Sequence, residues 1–147
     1  MCGSAAAQTI SDTELQAGYC LGVTASQADA RAAILKKEAG DPIMRNYDQD
    51  VLRHIQERHR RFQEYLIANG FTWDRSSEAL RIASERGKKD VATCDAELEQ
   101  EFYKECDERC DKVLEQNTDA GLACYDKCPS PASCDSLKKC LESFLPF

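Results

Sequence analysis

Apolar residues recur at intervals of three and four along most of the chain, which is the spacing of an amphipathic helix. No long run alternates apolar with polar residues, and the chain has 18 alanines against four valines. Both features favour helix over strand. The sequence therefore predicts an all-α fold, a helical bundle.

The first predicted helix begins near Asp12. Ser11 and Glu14 have the spacing of a capping box, in which the serine hydroxyl accepts from a free NH at the helix start and the glutamate accepts from the serine NH. Small residues on the apolar stripe of this helix, Gly22 among them, would permit a close approach of another helix. Residues 40–42 end it, because they contain glycine and proline.

A second helix is predicted over 46–69, with one apolar face and with Gly70 as its C-terminal cap. A third and longer apolar repeat covers 80–113 and includes Phe102. We expect an interruption of this long helix at Gly87, because glycine costs a helix interior about 1 kcal/mol relative to alanine.

The C-terminal part of the chain contains shorter elements. After Asn117, a short helix is expected to carry Cys124 and Cys128 and to stop at Pro129. A stiff turn rich in proline and serine follows, and a last short helix is predicted over 135–144.

Length and charge limit the classes of protein to which the chain can belong. Its 147 residues suffice for one helical domain, which we place at 11–147 after a flexible tether at 1–10. The net charge of -7 argues against nucleic acid as a partner. No stretch approaches the roughly 18 apolar residues of a membrane span.

Cysteine is the unusual residue in this composition. The chain has nine cysteines, and seven of them fall in the cysteine-rich segment 94–147. Such a density is typical of a disulfide framework in an oxidising compartment, and metal binding is the main alternative. The seven are Cys94, Cys106, Cys110, Cys124, Cys128, Cys134 and Cys140.

Two Cys-x3-Cys pairs form the clearest pattern. Cys106 with Cys110, and Cys124 with Cys128, each place two sulfurs on one face of a helix, one turn apart. Residues that pair between antiparallel helices share one midpoint. The outer pair, Cys106 and Cys128, and the inner pair, Cys110 and Cys124, share the midpoint Asn117, which lies in a turn signal. The alternative, in which the first cysteines of the two motifs pair and the second cysteines pair, fits no single register.

This region resembles the twin CX3C helical hairpin of the small Tim chaperones of the mitochondrial intermembrane space. The match covers about 23 residues, and about a hundred residues precede it in this chain, so chaperone function is not carried over. The resemblance implies the nested disulfides Cys106–Cys128 and Cys110–Cys124, each contributing about 2 to 4 kcal/mol. The C-terminal third is thus expected to be a disulfide-stapled helical hairpin.

Four further cysteines have weaker pairing arguments. Cys134 and Cys140 are close enough in sequence to close a small loop around the proline-rich turn. Cys20 and Cys94 remain, both on predicted apolar faces, and a bridge between them would tie the first helix to the long one. The alternative for these last two is a pair of free buried thiols.

Cys2 is left as the odd cysteine. It is followed by Gly3, Ser4 and three alanines, which resembles the mature start of a bacterial lipoprotein, where the first cysteine is acylated. The resemblance implies that Cys2 is a lipid anchor and that Met1 stands where a signal sequence was removed. The alternative is an incidental surface cysteine.

The sequence contains no recognisable catalytic motif. His54 and His59 are five residues apart on a helix and point about 140° away from each other, so they make a poor chelate. No nucleophile elbow, phosphate loop or zincin motif is present. We therefore expect no enzyme, no catalytic residue and no cofactor.

Thiolate chemistry gives the main alternative to a disulfide framework. Helical Cys-x3-Cys pairs that face into a bundle can hold soft Cu(I). Such bundles use many more inward-facing cysteines than this chain has, and more methionines than its two. A Cu(I)-binding thiolate bundle and an uncharacterised periplasmic enzyme therefore stay open as alternatives.

The expected function is protein binding or envelope scaffolding without catalysis, in the periplasm or another oxidising compartment. The partner is an unknown protein, and an inhibitor or immunity protein would fit the size and the acidity. Residues 95–111 carry a net charge of -6, either as a solvated face or as a surface that recruits a basic partner. The candidate partner-binding residues are Glu97, Glu101, Glu105 and Glu108.

Overall fold

The computed structural model describes residues 10–37, 40–71 and 77–141, and within these ranges it contains helices and no strand. The prediction of an all-α fold is confirmed. In chain order the elements are α1 (Asp12–Lys37), α2 (Pro42–Ala68), α3 (Glu78–Leu98), α4 (Glu101–Gln116), α5 (Thr118–Asp126), a short 3-10 turn (Ala132–Cys134) and α6 (Asp135–Leu141).

The first three helices form the bundle, in which α1 packs along both α2 and α3. Their apolar faces enclose the main core, and α6 with the 3-10 turn closes it from the side. Its largest buried apolar side chains come from the four helices and from Phe71, just beyond α2: Tyr19, Val23, Phe62, Leu66, Phe71, Leu80, Val91 and Leu137.

The starts of α1 and α2 differ in how well the sequence predicts them. The capping box of α1 is confirmed, since the Glu14 amide donates to Ser11 Oγ and the Ser11 amide donates to Glu14 Oε2, both at 3.1 Å. Helix α2 begins four residues before the predicted Asn46. Its first residue is Pro42, which cannot continue a helix but is well suited to begin one, because its fixed φ is helical and its missing NH is not needed there. The side chain of Asp41 caps the helix by accepting from the Ile43 and Met44 amides.

The predicted interruption at Gly87 is wrong. Helix α3 continues through Gly87 to Leu98, and the long apolar repeat is broken instead at 99–100, before α4 begins at Glu101. Gly87 is buried, and the absence of a side chain there allows close packing and does not bend the helix.

Two glycines let α1 and α3 touch through their backbones. A Cβ atom added to Gly87 would lie 2.3 Å from the carbonyl oxygen of Tyr19. One added to Gly22 would lie 1.9 Å from the carbonyl oxygen of Ser84. The prediction that Gly22 permits a close helix approach is thus confirmed, and its partner is the helix that contains Gly87.

Helices α4 and α5 form an antiparallel hairpin that turns at Asn117. The side chain of Asn117 accepts a hydrogen bond from the Ala120 amide at 3.0 Å and caps α5. Gly121 of α5 packs against Leu114 of α4, where an added Cβ would lie 2.5 Å from the Leu114 Cα. Helix α5 ends before Cys128, which the sequence had placed on it.

The hairpin contains the disulfides Cys106–Cys128 and Cys110–Cys124, the pairs that the resemblance implies. The first encloses the second around the turn, at sequence separations of 22 and 14. The C-terminal hairpin is therefore stapled twice.

The predicted pairs Cys134–Cys140 and Cys20–Cys94 are wrong. The structure joins Cys20 to Cys140, and Cys94 to Cys134. Cys134 ends the 3-10 turn and bonds to α3, whereas Cys140 lies near the end of α6 and bonds to α1. Proximity in sequence does not predict these pairs, because the partners lie at sequence separations of 40 and 120, on helices onto which this segment folds back.

Two predictions fall on parts of the chain outside the described residues. Cys2 and most of the proposed tether belong to residues 1–9, and the predicted end of the last helix belongs to residues 142–147. Both stay predictions.

Candidate interaction surface

Three of the four candidate partner-binding residues form one exposed row on α4. Glu101, Glu105 and Glu108 follow each other at steps of four and three, so they lie on one face of the helix. The opposite face holds Cys106 and Cys110, which are buried in the hairpin. We call Glu101, Glu105 and Glu108 the acidic stripe.

Glu97 does not belong to the acidic stripe. It lies on α3, is partly buried, and accepts a hydrogen bond of 2.9 Å from the hydroxyl of Ser133. This contact fixes the 3-10 turn against α3. The break between α3 and α4 separates Glu97 from the other three, although the apolar repeat predicts one continuous helix for all four.

Phe102 lies beside the acidic stripe and, among the residues that the structure describes, is the most exposed of the large apolar side chains, with 67% of its surface accessible. The apolar repeat over 80–113 includes Phe102. Because the helix breaks at 99–100 and α4 begins at Glu101, Phe102 lies outside the buried face of α4. Its ring contacts Tyr103 edge to face, with centroids 5.2 Å apart.

The carboxylates of the acidic stripe have no ion-pair partner within the described part of the chain. Two arginines of α2 pair within their own helix and not with the stripe. Arg60 pairs with Glu64 at 2.5 Å. Arg61 likewise pairs with Glu57, at 3.3 Å. The negative charge of the stripe is therefore left to solvent or to another molecule.

A tyrosine contact joins the hairpin to the bundle. The rings of Tyr47 on α2 and Tyr125 on α5 stack with centroids 6.3 Å apart and an angle of 16° between their planes. The Tyr125 hydroxyl donates a short hydrogen bond to Asp111 of α4. Burial and then this bond raise the pKa of Tyr125, so the phenol keeps its proton and the contact at neutral pH.

The sulfur atoms of the two hairpin disulfides are close neighbours. One sulfur each from Cys106, Cys110 and Cys128 lie within 4.8 Å of one another, and the Sγ atoms of Cys110 and Cys128 are 3.6 Å apart. As disulfides these atoms offer no thiolate to a metal ion, whereas full reduction would place four thiols in one small volume.

The two histidines occupy different environments. His54 is exposed and accepts from the Arg58 guanidinium at 3.2 Å. His59 is partly buried between α2 and α1, where its Nδ1 lies 2.8 Å from Thr24 Oγ1. Burial lowers the pKa of His59, against an opposing hydrogen bond to the backbone of Leu21. The structure does not bring the two rings together.

Comparisons with known protein families, with curated proteins and with solved structures find no match to this chain. Within the described residues, no helix has the length and the hydrophobicity needed to cross a membrane. The four disulfides are consistent with an oxidising compartment.

Proposed function

We propose that this protein is a non-catalytic binding protein, exported to the periplasm or a similar oxidising compartment, whose α4 face recruits a basic protein. One observation carries the proposal: Phe102 is 67% exposed beside three unpaired carboxylates, on a hairpin that two disulfides hold in shape. An inhibitor or immunity protein works in this way, by occupying a basic surface of its target.

Each part of this surface has a physical role in binding. An exposed aromatic ring is the type of side chain that provides much of the energy of an interface when it enters a pocket. The acidic stripe accelerates the encounter with a basic partner and selects against acidic ones. The cross-links reduce the entropy that the hairpin would otherwise lose on binding.

Export and tethering complete the proposal. Four disulfides support an oxidising compartment. Acylation of Cys2 would attach the protein to a membrane through the segment that precedes α1, and would leave the α4 face free to bind. Mass spectrometry of the native N-terminus tests this directly, because an unmodified Cys2 contradicts the lipid anchor without affecting the binding proposal.

The binding proposal is tested by photocrosslinking followed by measurement with a purified partner. A photoreactive phenylalanine at position 102 of the oxidised protein captures the partner, which is then produced separately. Replacement of Phe102 by alanine is expected to weaken binding by about 2 kcal/mol. The double variant Glu101→Lys with Glu105→Lys is expected to weaken it at least about tenfold, chiefly through slower association.

A matched control separates the surface from the total charge. Glu57→Lys with Glu64→Lys makes the same change of charge on the exposed face of α2, and binding should change little beyond a long-range electrostatic effect. Equal losses in the two double variants, or unchanged binding in the α4 variant, would place the interface elsewhere.

The closeness of the hairpin sulfurs favours a second candidate function, Cu(I) binding by the reduced protein. Cys106, Cys110 and Cys128 already lie within the span that a thiolate-bound metal ion needs, and soft thiolates select Cu(I). Titration of fully reduced protein with Cu(I) under a competing chelator tests it. Tight stoichiometric uptake that disappears in Cys106→Ser with Cys110→Ser would support this function, and weak uptake would exclude it.

A further inference from the structure

A cleft of about 430 Å³ opens between α1, α3 and α6, and the function proposed above does not use it. None of its lining residues belongs to α4 or α5. Polar and charged side chains from three helices meet there, among them Tyr19, Arg86, Asp90, Ser136 and Lys139. We call it the α6 cleft.

A chain of hydroxyl hydrogen bonds crosses the α6 cleft. The Tyr19 hydroxyl donates to Asp90 Oδ2 at 2.6 Å, and Ser136 Oγ lies 3.0 Å from the same phenol oxygen. Since a phenol has one proton, Ser136 is the donor in the second bond. Burial and the bond to Asp90 raise the pKa of Tyr19 to about 12, so the phenol stays protonated and satisfies the Asp90 carboxylate.

Two cations in the α6 cleft remain without partners among the described residues. Arg86 of α3 and Lys139 of α6 take part in no ion pair there, and both are exposed. Their neighbours differ, because Arg81 pairs with Glu78 and Lys138 pairs with Asp135 along their own helices. Two carboxylates also line the cleft. Asp90 accepts the hydrogen bond from the Tyr19 hydroxyl, and Asp12 lies in the first turn of α1, where the helix dipole favours negative charge.

The remainder of the cleft wall is apolar except for Gln16, whose side-chain amide donates to Cys20 Sγ at 3.5 Å. Leu15, Ala79, Ile82 and Ala83 supply the apolar part, and Ile82 is 53% exposed. Cations beside an apolar wall match a molecule that has both an anionic group and a hydrocarbon part.

Helix α6 is held in place by cross-links on both sides of the residues that it contributes. It has seven residues, too few for stability in isolation. The disulfide Cys94–Cys134 fixes the chain before Ser136, and Cys20–Cys140 fixes it directly after Lys139. The positions of the Ser136 hydroxyl and the Lys139 stem relative to Tyr19 and Arg86 are thereby set before any ligand arrives, which lowers the entropic cost of binding.

We propose that the α6 cleft binds a small organic carboxylate with an aryl or branched alkyl group, the carboxylate between Arg86 and Lys139 and the hydrocarbon against Leu15 and Ile82. The Ser136–Tyr19–Asp90 chain forms the preorganised base of the site. Binding there is independent of the acidic stripe, and neither proposal requires the other.

The test uses phenylacetate and its neutral isostere phenylacetamide with the oxidised full-length protein. Amide chemical shifts are recorded in a titration with each probe. Phenylacetate is expected to give saturable shifts at Tyr19, Arg86 and Ser136. Phenylacetamide is expected to bind at least about tenfold more weakly, because it has no negative charge to pair with the two cations. Equal binding of the two probes, or no saturable shift with phenylacetate, would overturn the proposal.

A pair of variants connects the effect to the two cations. Arg86→Gln with Lys139→Gln is expected to weaken phenylacetate binding at least about tenfold. The control, Lys89→Gln with Lys138→Gln, removes the same charge from exposed neighbouring positions on the same two helices and should keep the affinity. Circular dichroism of each variant verifies folding. Equal losses in both double variants would show a nonspecific charge effect and would overturn the site.

Discussion

The three-helix bundle and the α4–α5 hairpin are stabilised by different means. In the bundle, α1 and α3 approach until their backbones touch at Gly22 and Gly87, and apolar side chains from α1, α2 and α3 fill the core. In the hairpin, α4 buries little besides Leu114 and two cysteines, and the only buried residue of α5 is Gly121. Covalent bonds there replace the apolar area that the bundle supplies.

The difference follows from helix length. Helix α1 has 26 residues and can bury a long apolar face, whereas α5 has nine and offers one turn or two to a partner. Elements with too little core depend on cross-links, as small secreted domains do. A binding surface can then be kept polar, since the hairpin does not need its outer residues for folding.

The largest expected effect is the loss of the hairpin after removal of both of its disulfides. Replacement of Cys106, Cys110, Cys124 and Cys128 by serine removes about 2 to 4 kcal/mol per bridge. Amide hydrogen exchange should then show free exchange over 101–126 while α1, α2 and α3 keep their protection. Equal loss of protection in the bundle would show that the two regions fold as one unit and would contradict the comparison.

The bundle should respond most strongly to a side chain at its backbone contact. Gly22→Ala is expected to lower the free energy of unfolding by about 3 kcal/mol, because the new Cβ meets the backbone of Ser84 and the helices must separate. Gly18→Ala is the matched control, since its Cβ comes within 3.0 Å only of the movable end of Leu80, at 2.9 Å, and meets the Leu80 carbonyl oxygen at an ordinary 3.5 Å. Urea denaturation measures both, and equal losses would contradict the packing argument.

The coupling between the two regions should be smaller. The stack of Tyr47 on Tyr125 connects them, and such aromatic pairs contribute about 1 kcal/mol beyond the area they bury. A double-mutant cycle with Tyr47→Leu and Tyr125→Leu should give a coupling free energy of about that size in urea denaturation. A value near zero would mean that the disulfide-bonded hairpin is held to the bundle by other contacts.

The smallest expected effect is a pH dependence that belongs to the bundle alone. The pKa of His59 is lowered by burial, so folding favours the neutral ring. Its contribution to stability is present above the unfolded pKa of about 6.5 and is lost as the pH falls through the folded pKa.

The stability of the wild type should therefore fall relative to His59→Gln below about pH 6.5, by less than about 1.4 kcal/mol per pH unit. Urea denaturation at several pH values measures the difference. His54→Gln, at the exposed histidine, is the control and should follow the wild type. A His59 variant that follows the wild type at every pH would refute the assignment.

Local chemistry made part of this fold predictable. The capping box at Ser11 and Glu14 and the turn at Asn117 depend on residues three apart, so the sequence contains the whole interaction. The helical class follows from composition and periodicity in the same way. The pairing of the hairpin cysteines could be predicted, because two short helices and one turn set their spacing.

The remainder depends on contacts between distant segments. Helix propensity, which is local, predicts a break at Gly87, whereas the packing partner Tyr19 that explains this glycine lies 68 residues away. The same holds for Cys134 and Cys140, whose partners α6 reaches only by folding back. The α6 cleft left no signal in the sequence, since Arg86 and Lys139 line the same cleft only through the fold.

The order of the disulfides along the chain bears on how the protein can be oxidised. Each bridge lies wholly inside the next, from Cys110–Cys124 at the turn outward to Cys20–Cys140, so no bridge crosses another. Once the innermost bridge has formed, each later bridge closes a loop made only of the residues between it and the bridge inside it. The entropic cost of closing Cys20–Cys140, at a sequence separation of 120, is reduced accordingly. Oxidation from the turn outward thus brings each successive pair of thiols together, and Cys20 meets its partner only after α6 has folded back onto α1.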